Sequence, residues 1–385
     1  MGSRTQAKRI LVMITLFWFT QYLHVPFQTV YLNSLNLSSQ FIGIIIGVYG
    51  VAQLALRLPV GLGADRNGNH KLFILLGMAT AGLGALFRVM MPNGAGFLIA
   101  NFLSGTASAM WISFMVLYTN YFSANEQRKA MSKSILANAT GIMLAFVTST
   151  ALHELLAMVN LNALGILTGG IGVGLALTLE KPQPKTEILS ITTLLTVLKN
   201  KKLLLFSGLA LVKQGVQLAT VMSFTSQVVR DLGASNTLVG ISTIIFMISS
   251  VIFARVASTE GFIRRFSRKW LIPSIFACMA IYCLLVPNST ATWQILTLQI
   301  LPGLANGILF ALLTAEAMSE IPLAKKSTAM GYYQAFYAIG MTLFPAISGV
   351  LAENWNMTYA FYYLALTCFL ATLFSFVYYR RKADE

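Results

Sequence analysis

Residue 213 of this chain is a lysine set deep within an apolar run. The run opens near Leu203, and ten helical residues at 1.5 Å each place Lys213 about 15 Å along it, near the middle of a ~30 Å hydrocarbon layer. That is too deep to snorkel easily, so the ammonium must face a cavity or a partner. Gln217 follows one turn later on the same helical face, with Gln214 beside it. A second polar stripe, Gln21, His24, Gln28 and Tyr31, recurs at intervals of three and four residues and shares one face of the first apolar run. Groups of this kind hold a polar solute through hydrogen bonds and charge, and a lysine or histidine among them can carry a proton. The alternative for the glutamines is that they tie helices together by hydrogen bonds. Pro26, inside the second stripe, reads as a kink.

The acids are as informative by their positions. All twelve, Asp65, Glu126, Glu154, Glu180, Glu187, Asp231, Glu260, Glu316, Glu320, Glu353, Asp384 and Glu385, lie away from the middle of the apolar runs, Glu316 coming nearest. Proton coupling would therefore have to run through His24, Lys213, Glu316 or another group. A lysine, a histidine and many amides without an acid suit an anionic or neutral polar solute and suit a lipophilic cation poorly. With only His24, His70 and His153 and no acid at depth, no nucleophile and base or metal cluster suggests an enzyme. Cys278, Cys283 and Cys368 lie in apolar runs and read as packing residues, with neither disulfide nor metal spacing. The sequence lacks a Gly-x4-Gly-Lys phosphate loop, so no ATP and no other cofactor is implied.

Composition fixes the solvent. The 385 residues are 56% hydrophobic and only 10% charged, where soluble domains are about a quarter charged. The mean hydropathy is +0.71. The net charge of +15 falls in short clusters between apolar runs, which argues for a membrane protein and against a nucleic-acid partner. Twelve runs are long enough to cross a bilayer as helices: 10–32, 40–63, 72–91, 95–118, 132–152, 159–179, 203–227, 237–257, 270–287, 292–315, 328–350 and 357–378. The basic clusters precede span 1, follow spans 2, 4, 8 and 10, fill the middle and end the chain, all on one face. The opposite loops hold Glu154, Asp231 and Glu353 with Arg230 as their only base. Both termini and the linker are thus expected in the cytoplasm. The basic start shows no cleavage site and is expected to be a retained first span, and Gln6 interrupts a myristoylation pattern.

The chain also repeats itself. At offsets of 197 to 199 residues, Leu35 and Gly43 fall on Leu232 and Gly240, Arg57 on Arg255, Gly105 on Gly303, and Ala130, Met131 and Gly141 on Ala329, Met330 and Gly340. The expected organisation is a six-helix half over 1–180, a linker over 181–202 lying on the inner surface, and a second six-helix half over 203–385.

After the second run stands Gly61-Leu62-Gly63-Ala64-Asp65-Arg66-Asn67-Gly68-Asn69-His70-Lys71. With two six-helix halves and this charge layout, the chain resembles the major facilitator superfamily, whose loop motif between spans 2 and 3 reads Gly, three residues, Asp-Arg, any residue, Gly and two bases. Gly61, Asp65, Arg66 and Gly68 match, Asn69 and His70 stand at the basic positions, and Lys71 follows one place later. The resemblance covers essentially the whole chain. It implies a twelve-helix, all-α membrane fold, alternating access, and a cytoplasmic latch at Gly61, Asp65, Arg66 and Gly68. The counterpart in the second half, ending in Arg268 and Lys269, lacks the acid, so the latch is expected to be asymmetric. Spans 1 and 7 line the central cavity in that family, which implies a solute site built from Gln21, His24, Gln28, Lys213, Gln214 and Gln217. Asn101 and Asn138, Gln299 and Asn306, and Tyr333, Gln334 and Tyr337 are further candidates, each able instead to cross-link helices. Gln299 is the repeat partner of Asn101, and Asn306 that of Ser108.

Two departures matter. The helix-4 arginine of the proton-driven drug exporters is replaced by Asn101, and their helix-5 Gly-Pro motif is missing from Gly141 to Ala151. Arg88, near an end of span 3, reads as an anchor that snorkels, and Trp18 and Trp111 as packing. The expectation is a monomeric secondary transporter of a small organic solute in the cytoplasmic membrane, proton-coupled and exporting. An uptake permease or facilitator for a sugar-like or carboxylate nutrient, and a lipid flippase, are the alternatives.

Overall fold

A computed structural model describes residues 2–67, 69–123, 126–180, 196–257, 267–322 and 325–384. Among them the regular structure is helical throughout. In chain order the helices are α1 Gly2–Tyr22, α2 Gln28–Ser34, α3 Ser39–Asn67, α4 His70–Met90, α5 Gly94–Ala109, α6 Trp111–Thr119 and α7 Gln127–Leu177. They continue with α8 Lys201–Ala219, α9 Thr225–Asp231, α10 Asn236–Ala257, α11 Arg268–Leu285, α12 Thr292–Leu298, α13 Ile300–Met318, α14 Lys326–Asn354 and α15 Met357–Asp384. In lipid every backbone N–H and C=O must be satisfied within the chain, and helices of this apolar composition do that.

Among the described residues, eleven helical stretches are long and apolar enough to cross a membrane. They correspond to spans 2 to 12. Span 1 falls outside that set: α1 begins among Arg4, Lys8 and Arg9, and a turn over 23–27, around Pro26, separates it from α2. The single run expected over 10–32 is therefore two helices. Span 4 joins α5 to α6 at Met110, and span 7 joins α8 to α9 through a π-helical turn, Thr220–Phe224. Spans 5 and 6 share the 51-residue α7. Gly141 lies against Thr15 and Trp18, while Gly165 lies against Thr20 and Ala85, and Thr168 bonds Thr20 at 2.7 Å. A straight helix would separate residues 141 and 165 by about 36 Å, far more than the about 7.5 Å between residues 15 and 20, so α7 folds back on itself. The reversal falls between Ala130–Leu156 and Met158–Leu177.

The duplication is visible in how the helices close on one another. A Cβ on Gly105 would collide with the Tyr49 carbonyl and Ala52, and one on Gly303 with the Phe246 carbonyl and Ser249. Phe246 and Ser249 are the repeat partners of Tyr49 and Ala52. Gly141 likewise abuts the Thr15 carbonyl, and Gly340 abuts the carbonyl of Leu211, which stands 196 residues after Thr15. In both halves glycine is needed because two backbones approach too closely for a side chain. The third and sixth spans pack together, as do the ninth and twelfth. The outer face of α15 exposes Leu366, Phe369, Leu370, Leu373, Phe374 and Val377, a stripe at helical spacing that suits contact with lipid.

By internal contacts the chain divides into two compact units, Met1–His24 with Val48–Asn200 and Ile321–Ala335, and Val25–Gly47 with Lys201–Glu320 and Phe336–Glu385. Each holds buried polar groups gathered in clusters.

Candidate polar sites in the two units

The second unit places Lys213 on α8, 1% exposed. Its ammonium donates to Gln214 Oε1 at 2.9 Å, Gln217 Oε1 at 2.6 Å and Asn306 Oδ1 at 2.6 Å. An ammonium has three N–H donors, and all three are used. Asn306, on α13, passes the connection to α10 by donating to Ser250 Oγ at 2.7 Å. The ammonium also stands 5.4 Å from the centroid of the Phe310 ring. Among the described residues no carboxylate lies within ion-pairing distance of Lys213, so neutral oxygens and the Phe310 ring compensate its charge. The four residues Lys213, Gln214, Gln217 and Asn306, singled out from sequence, are thus one cluster.

Gln299 is not part of it. This buried amide donates to Ser242 Oγ at 2.6 Å and accepts from Tyr282, which shares a bond of 2.8 Å with Thr225. That arrangement ties α9, α10, α11 and the α12–α13 junction together. Gln28, also in this unit, opens α2 with its Oε1 buried and unpartnered, and Tyr337 is buried on α14. Glu316, the acid nearest the interior, pairs with Lys202 at 3.0 Å, and Glu320 with the same lysine at 3.6 Å.

The first unit corrects the expectation for Arg88. Instead of snorkelling outward it is 1% exposed, lying on the buried stripe of α4 formed by Ile74, Gly77, Ala81, Gly84 and Ala85. Its Nη2 donates to Asn101 Oδ1 at 2.7 Å and to Ser104 Oγ at 3.0 Å. The guanidinium absent from position 101 of the sequence thus reaches Asn101 from span 3. That stripe, at helical spacing and made of small residues, is the signal that could have revealed it. Gln21 donates to the Ser104 carbonyl at 2.8 Å and Ser108 Oγ at 3.1 Å, and Tyr49 bonds Ser108 at 2.8 Å. His24, in the turn after α1, is 5% exposed and within electrostatic reach of Arg88.

Other candidates in this unit lie apart. Gln334 accepts from Arg57, which also donates to Gln53, all three being buried. Tyr333 is buried on α14, while Asn138 is only half-buried on α7. Trp18 packs at 5.3 Å, edge to face, on Phe17 and on Trp111. In the loop motif, Gly61 is buried in α3, but the side chains of Asp65 and Arg66, and all of Gly68, lie outside the described residues, as does the Arg268 side chain. Lys269 is half-buried at the start of α11. Asn69 caps α4 by accepting from Leu72 N–H at 3.2 Å, and Lys71 donates to the Leu177 carbonyl at 2.9 Å, at the end of α7. Two of the motif's last three positions therefore serve helix ends.

A family model described as Major Facilitator Superfamily matches residues 10–259 and 214–385. The inner membrane transport protein YajR of Escherichia coli K12 is 22% identical over 366 residues, covering 90% of this chain and 77% of the relative. An uncharacterized MFS-type transporter of Methanocaldococcus jannaschii is 22% identical over 371 residues, 91% of this chain and 92% of its own. The multidrug resistance protein MdtG of Salmonella choleraesuis is 29% identical over 174 residues, 44% of this chain and 42% of its own. Among solved structures, the nucleoside transporter NupG superposes with a TM-score of 0.75 at 16% identity, over 98% of this chain and 99% of the other. A bacterial homologue of the human lysosomal transporter Spinster gives 0.75 at 14% identity, over 98% and 97%.

Proposed function

From the premise that this chain belongs to the Major Facilitator Superfamily and is a multi-pass membrane transporter, we propose that it exports a small anionic or neutral polar organic solute from the cell by proton-coupled alternating access. The observation that carries this reading is Lys213, buried and held only by neutral amides. A protonated lysine satisfies three acceptors; a neutral amine has two N–H groups and must release one. Gln214 and Gln217 lie on the same helix as Lys213, whereas Asn306 lies on span 10, so release of Asn306 loosens the tie between spans 7 and 10. Proton binding is thereby linked to helix packing through one hydrogen bond. The absence of a carboxylate partner at Lys213 among the described residues favours anionic or neutral solutes over cations. Similarity over less than half the chain to a protein named for multidrug resistance supports export as the direction. The basic clusters support a cell-membrane orientation with both termini cytoplasmic, and the transporter is read as a monomer.

The test is reconstitution of the protein and its Lys213→Ala variant in vesicles. Dissipation of a pH gradient is followed with anionic solutes, neutral polar solutes and cationic dyes. Proton flux that needs an anionic or neutral solute and is lost in the variant supports the reading. Flux driven by cationic dyes and indifferent to the substitution defeats it.

A further inference from the structure

Arg88 differs from Lys213 in having a donor to spare. Its Nη2 is engaged by Asn101 and Ser104, but Nε is buried without a partner. Among the described residues no carboxylate pairs with it, and its Cζ lies 5.9 Å from the centroid of the Phe97 ring. Arg88 sits in the last turn of α4, so the helix C-terminus, the two oxygens and the ring offset part of its desolvation. The formal charge is still unmatched, and a buried N–H without an acceptor adds its own cost.

Two further atoms close by are also unused. Gln21 reaches Ser104 and Ser108 through Nε2, while its Oε1 is buried without a donor. His24 Nδ1 is buried and unpartnered, within electrostatic reach of Arg88. Arg88 and Gln21 converge on the same residue, Ser104, one at its hydroxyl and the other at its carbonyl. A spare cationic donor, a spare neutral acceptor and an imidazole nitrogen therefore belong to one neighbourhood within the first unit.

We propose that Arg88, Gln21 and His24 form the anion site of this transporter, and that it takes a monocarboxylate bearing a hydroxyl beside the carboxyl group. The inference rests on the reading of the chain as a carrier of anionic solutes and names where the anion binds. One guanidinium matches one negative charge, whereas a dianion would leave net charge buried. A carboxylate oxygen accepts from Arg88 Nε–H, and its partner oxygen accepts from His24 in the tautomer that carries hydrogen on Nδ1. Neither oxygen can satisfy Gln21 Oε1, which needs a donor; a neighbouring hydroxyl supplies one. Lys213 offers no comparable opening, because each of its N–H groups already has an acceptor.

The experiment titrates the purified full-length protein in lipid nanodiscs with lactate, propionate and lactamide, reading heat of binding and thermal unfolding. These probes are close in size; propionate lacks the hydroxyl and lactamide lacks the charge. In the unaltered protein, lactate is expected to bind best, propionate more weakly and lactamide not measurably. Arg88→Gln should weaken lactate about tenfold or more, the equivalent of one charge-assisted hydrogen bond. Arg88→Lys, which keeps the charge, should retain part of the binding, and Gln21→Leu should bring lactate down to the level of propionate. The ranking in the unaltered protein needs no variant, so misfolding of Arg88→Gln does not leave the site untested. Lactamide binding as well as lactate, or a folded Arg88→Gln protein that binds lactate unchanged, overturns the site. Lactate-driven proton flux that survives Arg88→Gln likewise overturns it while leaving the transporter reading intact. Lactate binding that follows the expected ranking, in a protein without proton flux for any solute, supports the site and removes the coupling reading.

Discussion

Lys213 in the second unit and Arg88 in the first are both buried beside neutral oxygens, and the two are finished differently. Lys213 uses every N–H it has, on three amides from two spans. Arg88 leaves Nε unused, with unpartnered atoms of Gln21 and His24 close by. The seats are related by the duplication: Asn306 is the repeat partner of Ser108, and Gln217 stands 196 residues after Gln21, one short of the offsets found in the later spans. The first seat holds a direct Gln21–Ser108 bond, and the second has an ammonium inserted between the equivalent residues. One duplicated scaffold thus holds a saturated cation, whose bonds join two spans, and one with a donor to spare.

The largest effect expected from this difference is at Lys213. Lys213→Ala removes the group that joins Gln217 to Asn306, and proton flux should fall to the level of protein-free vesicles. Binding of lactate at Arg88 should persist in the same protein, measured by calorimetry. Loss of both together would mean that the two seats act as one. Asn306→Asp is the next step. It replaces a neutral acceptor with a carboxylate, and a charge-assisted bond is roughly twice as strong. A tie stronger by about 1.4 kcal/mol should release about tenfold more slowly. Turnover in vesicles should fall by that factor, with lactate affinity unchanged.

These two seats were not equally legible in the sequence. Lys213 announced itself by depth, since counting residues along an apolar run gives distance into the membrane. Gln217 and Asn306 followed from helical spacing and from the repeat. Depth places Arg88 near a helix end, where snorkelling is the ordinary outcome, so depth alone points it outward. What decides its case is azimuth: Gly77, Ala81, Gly84 and Ala85 mark the face of α4 that packs inward, and Arg88 continues that face. The break in span 1 around Pro26 was foreshadowed as a kink, but the end of α1 depends on local packing that composition does not encode. The fold-back inside α7 was legible as the gap between the runs 132–152 and 159–179, and the reversal falls there. The organisation into six and six was the most legible feature, since offsets near half the chain length survive in glycines that the packing cannot replace.

Those glycines give a smaller effect, and one that compares the two halves directly. Gly105→Val and Gly303→Val each push a side chain into the backbone of a neighbouring helix, at Tyr49 and Phe246 respectively. Each should cost about 1–3 kcal/mol by overpacking. Thermal unfolding in detergent measures it, and similar losses are expected because the two seats are built alike. A large loss for one and none for the other would mean that the halves no longer share a packing rule at this crossing.

The smallest expected effect is at Gln299. It occupies the repeat position of Asn101, yet its partners are the hydroxyls of Ser242 and Tyr282, with no cation among them. Hydrogen bonds between membrane helices average only about 0.6 kcal/mol. Gln299→Leu should therefore lower stability slightly and leave both lactate binding and proton flux unchanged. Asn101→Leu, at the matching place in the first half, removes an acceptor from Arg88 Nη2 and should weaken lactate binding by misplacing the guanidinium. Equal behaviour of the two substitutions would deny the difference between the halves at the position where sequence makes them most alike.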